Sequence, residues 1–182
     1  LVDETANIPK AAEDIINGCT FDNNLPCIAE KEVVVVDTVA DELIYHMEQN
    51  GCYHASPEEV QKLVDTVLDD KNGKKVISRK CVGRSAKVLL GKIGVTVGDE
   101  VRCIIFEGEK THPLIWTELM MPILGIVRVK NVDEGIAVAV ELEHGNRHSA
   151  HMHSTNINNL TRFGKAIDTA IFVKNAPSYA AL

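Results

Sequence analysis

Glu32-Val33-Val34-Val35-Val36-Asp37 is the stretch on which the fold turns. Four consecutive valines between acids show no polar–apolar alternation, so a strand built from them must be covered on both faces. That is the pattern of a buried, parallel-type strand rich in β-branched residues. Downstream, Asp37 or Thr38 can cap a helix that carries Leu43, Ile44 and Met47 to about residue 49 and stops at Asn50-Gly51. Upstream, Asn7-Ile8-Pro9-Lys10 combines a capping Asn with Pro in the first turn. Ala11, Ala12, Ile15, Ile16 and Cys19 then recur at three- and four-residue steps, the mark of an amphipathic helix. Helix, turn at residues 22–26, buried strand and helix follow one another within fifty residues.

The same alternation continues. Ser56-Pro57-Glu58-Glu59 opens a helix with a capping Ser, Pro at the first position and Glu at the third. Residues 69–75 read as a charged surface loop, and residues 85–93 as a short helix. Residues 101–106 and 124–129 read as strands, and 132–142 as a helix with Asp133 and Glu134 favourable near its start. A strand at 149–154, a helix at 156–165 and a last strand at 170–173 complete the pattern. Strands alternating with helices predict an α/β fold, a mainly parallel sheet flanked by helices. No glycine-rich phosphate loop follows a strand, so a self-contained dinucleotide or P-loop site is not expected.

The 182 residues fit one domain, residues 1–182. With 45% hydrophobic residues the chain can fill a core. A net charge of −7 argues against nucleic acid or an anionic membrane as partner, since both attract basic patches. No apolar run approaches the about 20 residues of a membrane helix, and no signal peptide is visible. Five cysteines without a C-x-x-C pair fit free thiols in a reducing cytosol, most of them small core residues. The chain opens at Leu1 without a methionine and stops in Tyr179-Ala180-Ala181-Leu182, so a fragment of a longer protein is expected.

Cys27 stands out by context. It follows the polar turn Phe21-Asp22-Asn23-Asn24-Leu25-Pro26, whose Pro26 fixes its own φ and restricts Leu25. A thiol on a stiff turn at a sheet edge can project into a cleft as a nucleophile; a buried structural cysteine is the alternative. His144, His148, His151 and His153 are crowded into ten residues, and on a strand His151 and His153 would share a face. No upstream partner has ligand spacing, so no metal is expected and the histidines are structural or line a pocket. Lys71, Lys74, Lys75, Arg79 and Lys80 form a basic run that reads as solvated surface, with the phosphate groups of a ligand as the alternative partner.

The stretch from Phe21 through Cys27-Ile28-Ala29-Glu30-Lys31-Glu32-Val33 resembles the nucleophile loop of the acylating aldehyde dehydrogenases of ethanolamine and propanediol utilisation. Trp116-Thr117-Glu118-Leu119-Met120-Met121-Pro122-Ile123 is similar to the Glu-x-Phe-Gly-Pro-Val segment of the wider superfamily, with Met120-Met121 replacing Phe-Gly. The resemblance runs over nearly the whole chain. It implies an aldehyde dehydrogenase catalytic domain whose NAD-binding domain is absent from this chain. It implies Cys27 as the nucleophile and Glu118 as a contact to the nicotinamide ribose, with Asn24, His112, Pro122 and His148 as pocket candidates. The implied reaction is NAD- and coenzyme-A-dependent oxidation of acetaldehyde or propionaldehyde to acyl-CoA through an acyl-cysteine thioester. A homo-oligomer in the cytoplasm or a bacterial microcompartment is implied with it. The competing readings are a hydrolytic, non-acylating aldehyde dehydrogenase and a non-catalytic interaction module.

Overall fold

The computed structural model describes residues 1–182. In chain order its elements are α1 (Ile8–Thr20), β1 (Glu32–Val36), α2 (Asp37–Gln49), β2 (Cys52–His54), α3 (Pro57–Val67), β3 (Leu68–Lys71), β4 (Lys74–Ile77), α4 (Ala86–Lys92), β5 (Cys103–Glu107), α5 (Pro113–Trp116), β6 (Ile123–Val129), α6 (Val132–Leu142), β7 (Ser149–Met152), α7 (Ile157–Ile167) and β8 (Ile171–Lys174). The main sheet has the order β1-β6-β5-β2, and all of its pairs are parallel. A second parallel pair, β7-β8, continues it. Val2 lies between the two, bridging Val35 on one side and His153 on the other. No helix is long and apolar enough to cross a membrane.

The valine run does what its composition demands. Val33 and Val35 face a core shared with Ile15 and Ile16 of α1 and Leu43 and Met47 of α2. Val34 and Val36 face the opposite core, with Leu63 of α3, Leu89 of α4 and Leu142 near the end of α6. Alternate residues of β5 and β6 divide in the same way, Ile105 and Ile126 to the first core, Ile104 and Val127 to the second. A strand with both faces covered has no room for polar side chains, hence the absence of alternation.

Several helix ends follow the expected chemistry. Ser56 and Glu59 form a reciprocal capping box, and Asn7 accepts the Lys10 amide. The start of α2 departs from it: Val36 occupies the cap position, and Asp37 lies in the first turn, where its charge meets the helix dipole. The expected charged loop at 69–75 is instead the antiparallel hairpin β3–β4. Asn72 and Gly73, at φ 56° and 78°, supply the left-handed pair that a tight hairpin turn requires. Its flanks are charged because the strands are largely exposed, which hides the turn signal in the sequence. The three-residue β2 and the single turn of α5 carry too little periodicity to register.

Candidate active site

Cys27 precedes β1 and Glu118 precedes β6. These strands are parallel neighbours, with Glu32 opposite Gly125, so the segments entering them run along the same edge of the sheet. The segment entering β7 reaches that edge too, and Ser149 Oγ donates to the Ile28 carbonyl at 3.5 Å. A cleft of about 550 Å³ opens there, with Cys27, Lys31, Trp116, Glu118, His144 and His148 among its lining residues. Parallel pairing thus gathers residues from three distant stretches at the amino ends of the strands.

Cys27 is exposed on the turn that the Ala29 amide closes onto the Pro26 carbonyl at 3.0 Å. Its own backbone N–H donates to no protein acceptor, leaving it free to face an oxyanion. Cys19, Cys52, Cys81 and Cys103 are buried, which singles out Cys27 as the accessible thiol. Before this turn, Asp22, Asn23 and Asn24 all have positive φ (46°, 51° and 66°), a conformation that short polar residues tolerate best. Glu118 is 57% exposed at the cleft, with Oε1 at 3.7 Å from Lys31 Nζ. Across from it, His144 sits edge-on to Trp116 at 4.3 Å, its Nε2 at 3.2 Å from the Trp116 carbonyl. His148 is exposed at the cleft, and its backbone N–H donates to Glu143 Oε1.

The other pocket candidates stand behind this surface. Asn24 is buried, its Nδ2 donating to the Cys19 and Glu30 carbonyls at 3.0 and 2.8 Å, so it braces the turn that carries Cys27. His112 caps α5 by accepting the Leu114 amide on Nδ1, and burial lowers its pKa. Buried Pro122 leads into β6, where its carbonyl accepts the Ile104 amide. His151 and His153 line the depth of the cleft, and burial holds them neutral, with pKa values lowered to about 4 and about 3. The Nε2 atom of each is without a protein partner.

Sequence reading did not single out Glu30, Lys31 or Trp116 for this cleft, whereas His144 belongs to the histidine cluster expected to be structural or to line a pocket. Glu30 is only 5% exposed, although three residues from an exposed cysteine. Its Oε1 accepts the Ser178 amide at 2.9 Å, and its carboxyl lies against Gly18, where even a methyl group would collide with it. Burial raises its pKa to about 7 from the ordinary 4.5. Folding therefore retains a proton that the unfolded chain releases, and this contribution is complete below pH 4.5 and lost as pH rises through about 7. Glu30→Gln, which needs no proton, is expected to stabilise the fold at pH 8 by on the order of 2 kcal/mol and to change little at pH 4.5. Thermal unfolding of both proteins across this range checks it; parallel pH profiles would show that Glu30 is not the coupled group.

The model of the aldehyde dehydrogenase family matches residues 1–181. The acetylating acetaldehyde dehydrogenase EutE of Salmonella typhimurium is 46% identical, aligned over 100% of this chain and 39% of its own length. The CoA-propanoylating propanal dehydrogenase of the same organism is 41% identical, again over 100% and 39%. The chain thus spans about two fifths of the length of these curated relatives. Among solved structures, a propionaldehyde dehydrogenase from the Clostridium phytofermentans fucose utilisation bacterial microcompartment superposes with a TM-score of 0.95 at 62% identity, over 99% of this chain and 41% of that one. The Rhodopseudomonas palustris propionaldehyde dehydrogenase with bound CoA and an acylated cysteine gives 0.96 at 52% identity, over 100% and 41%. With a parallel sheet that presents one exposed thiol at its amino edge, and a family match along its whole length, this chain belongs to the aldehyde dehydrogenase family.

Proposed function

We propose that the chain is the nucleophile-bearing catalytic domain of a longer, CoA-acylating aldehyde dehydrogenase, acting on acetaldehyde or propionaldehyde. The observation that carries this reading is Cys27, the one exposed thiol, on a braced turn at the cleft with its backbone N–H free. The Cys27 thiolate would add to the aldehyde carbonyl, and its N–H would stabilise the resulting oxyanion. Loss of hydride from that carbon leaves an acyl thioester on Cys27. The thiol of coenzyme A then attacks the thioester carbonyl, releases Cys27 as thiolate and departs as acyl-CoA.

A bound nicotinamide cofactor supplies the hydride acceptor. Exposed Glu118 fits it as an acceptor for ribose hydroxyls, whereas no glycine-rich phosphate loop is found in these residues, so most of the cofactor site belongs to a further domain. In this reading the cofactor is NAD, the intact enzyme is a homo-oligomer, and the setting is cytoplasmic, within a bacterial microcompartment like that of the C. phytofermentans relative. Similarity to relatives named as acetylating and CoA-propanoylating supports the coenzyme A branch.

The test is mass spectrometry of the full-length protein after incubation with propionaldehyde and NAD, without coenzyme A. A propionyl adduct on the Cys27 peptide, discharged as propionyl-CoA when coenzyme A is added, is the expected result. An adduct lost to water at the same rate would move the protein to the hydrolytic class. An unmodified Cys27 would remove the mechanism.

A further inference from the structure

Lys31 is a cation packed against the nucleophile turn, and each of its three protons has an acceptor there. Its Nζ donates to Asn24 Oδ1 at 2.7 Å, to the Asn24 carbonyl at 3.1 Å and to the Pro26 carbonyl at 3.4 Å. An ammonium has three protons, and all three acceptors belong to the short segment that ends at Cys27. This segment includes the three consecutive left-handed residues Asp22, Asn23 and Asn24, a conformation that persists only where its surroundings enforce it. The Pro26 carbonyl that takes the third bond also accepts the Ala29 amide closing the turn around Cys27. On its outer side the same Nζ lies 3.7 Å from Glu118 Oε1. The Lys31 side chain is 16% exposed and Glu118 57%, so the lysine is an inner post and the glutamate an outer arm resting on it.

We propose that Lys31 is a positioning residue of this site: one ammonium pins the turn that aims Cys27 and steadies Glu118 at the mouth of the same cleft. This inference rests on the proposed acylating reaction. Lys31 lies immediately before β1, whose neighbour β6 carries the Glu118 segment, so the sheet brings both targets to the same side chain. A compact charge on a flexible stem suits the task, because three acceptors at different angles suit rotatable donors better than a planar guanidinium. Without the ammonium, the buried Asn24 side-chain oxygen loses its partner and the turn loses its brace. Misplacing a nucleophile by about 1 Å can cost on the order of 100-fold in rate.

The experiment uses the full-length protein with Lys31→Met, Lys31→Gln, Glu118→Gln and the Lys31→Met/Glu118→Gln double variant. Single-turnover acylation of Cys27 by propionaldehyde and NAD is followed by mass spectrometry and normalised to Cys27 thiol titrated with iodoacetamide. We expect Lys31→Met to slow acylation per thiol roughly 10- to 100-fold and to raise the KM for NAD. In the double variant the KM for NAD should equal that of Glu118→Gln alone, because Lys31 reaches the cofactor through Glu118, while the slow acylation persists. Lys31→Gln keeps a neutral donor and should move both quantities in the same direction; it serves as the readout if the Met variant is insoluble. Acylation per thiol within twofold of wild type, with unchanged KM, overturns the inference, whatever happens to thermal stability. Wild-type protein that gives no Cys27 adduct overturns the reaction itself, and this role with it.

Discussion

Cys27→Ala in the full-length protein is expected to lower turnover of propionaldehyde by about 10⁴-fold or more, with no change in fold. The size of the effect follows from the proposed reaction, in which no thiol means no thiohemiacetal, no thioester and nothing for coenzyme A to attack. Residual rates from binding and oxyanion donors alone fall several orders of magnitude short of a covalent route, as for other nucleophile deletions. Cys27 is exposed on a turn held by backbone bonds and by Asn24, so removing its sulfur leaves the bracing intact. Thermal midpoint and oligomeric state should match wild type while NADH formation vanishes from both the first turnover and the steady state. Retention of more than about a tenth of wild-type turnover would assign the chemistry to another group.

Asp3→Ala is expected to cost roughly 3 kcal/mol of stability, the largest effect anticipated for a single polar side chain here. Asp3 has no exposed surface. One oxygen accepts the Ser154 hydroxyl at 2.6 Å and the Asn159 amide at 2.8 Å; the other accepts the Thr5 amide and hydroxyl at 2.9 and 2.7 Å. Four donors converge on one carboxylate, and through them the first residues hold the connection between β7 and α7. Truncation leaves these donors in a buried space, and loss of a shared acceptor costs more than loss of a surface bond. Asp3→Asn should be damaging as well, since its amide nitrogen must face donors whichever way it turns. Urea unfolding of the full-length variants measures both. A loss below about 1 kcal/mol for the alanine change would mean that water replaces the carboxylate without penalty.

Legibility in the sequence followed the range of the interactions involved. The valine run declared a strand covered on both sides, and Ser56-Pro57-Glu58-Glu59 declared a helix start, because these signals are complete within a few residues. The hairpin at Asn72-Gly73 was obscured by charged flanks that are solvent-exposed in the fold. The resemblance implies Asn24 as a pocket candidate. The structure makes it a brace, because its side chain reaches Cys19 and Glu30 across the turn.

What the sequence by itself determined is the alternation of helix and strand, a parallel sheet, and a cysteine on a stiff turn before a buried strand; that this cysteine is exposed is a property of the fold. Those properties depend on backbone preference and hydrophobic period, which act locally. Only the tertiary structure decided which distant residues share the cleft. The order β1-β6-β5-β2 sets the Cys27 turn beside the Glu118 segment, and Val2, wedged between Val35 and His153, brings the histidine segment to the same edge. The same assembly buries Glu30 and lowers the Lys31 pKa through burial, although both belong to a stretch that reads as plainly polar. Burial is a property of what covers a residue, and the residues that cover these two lie far away along the chain.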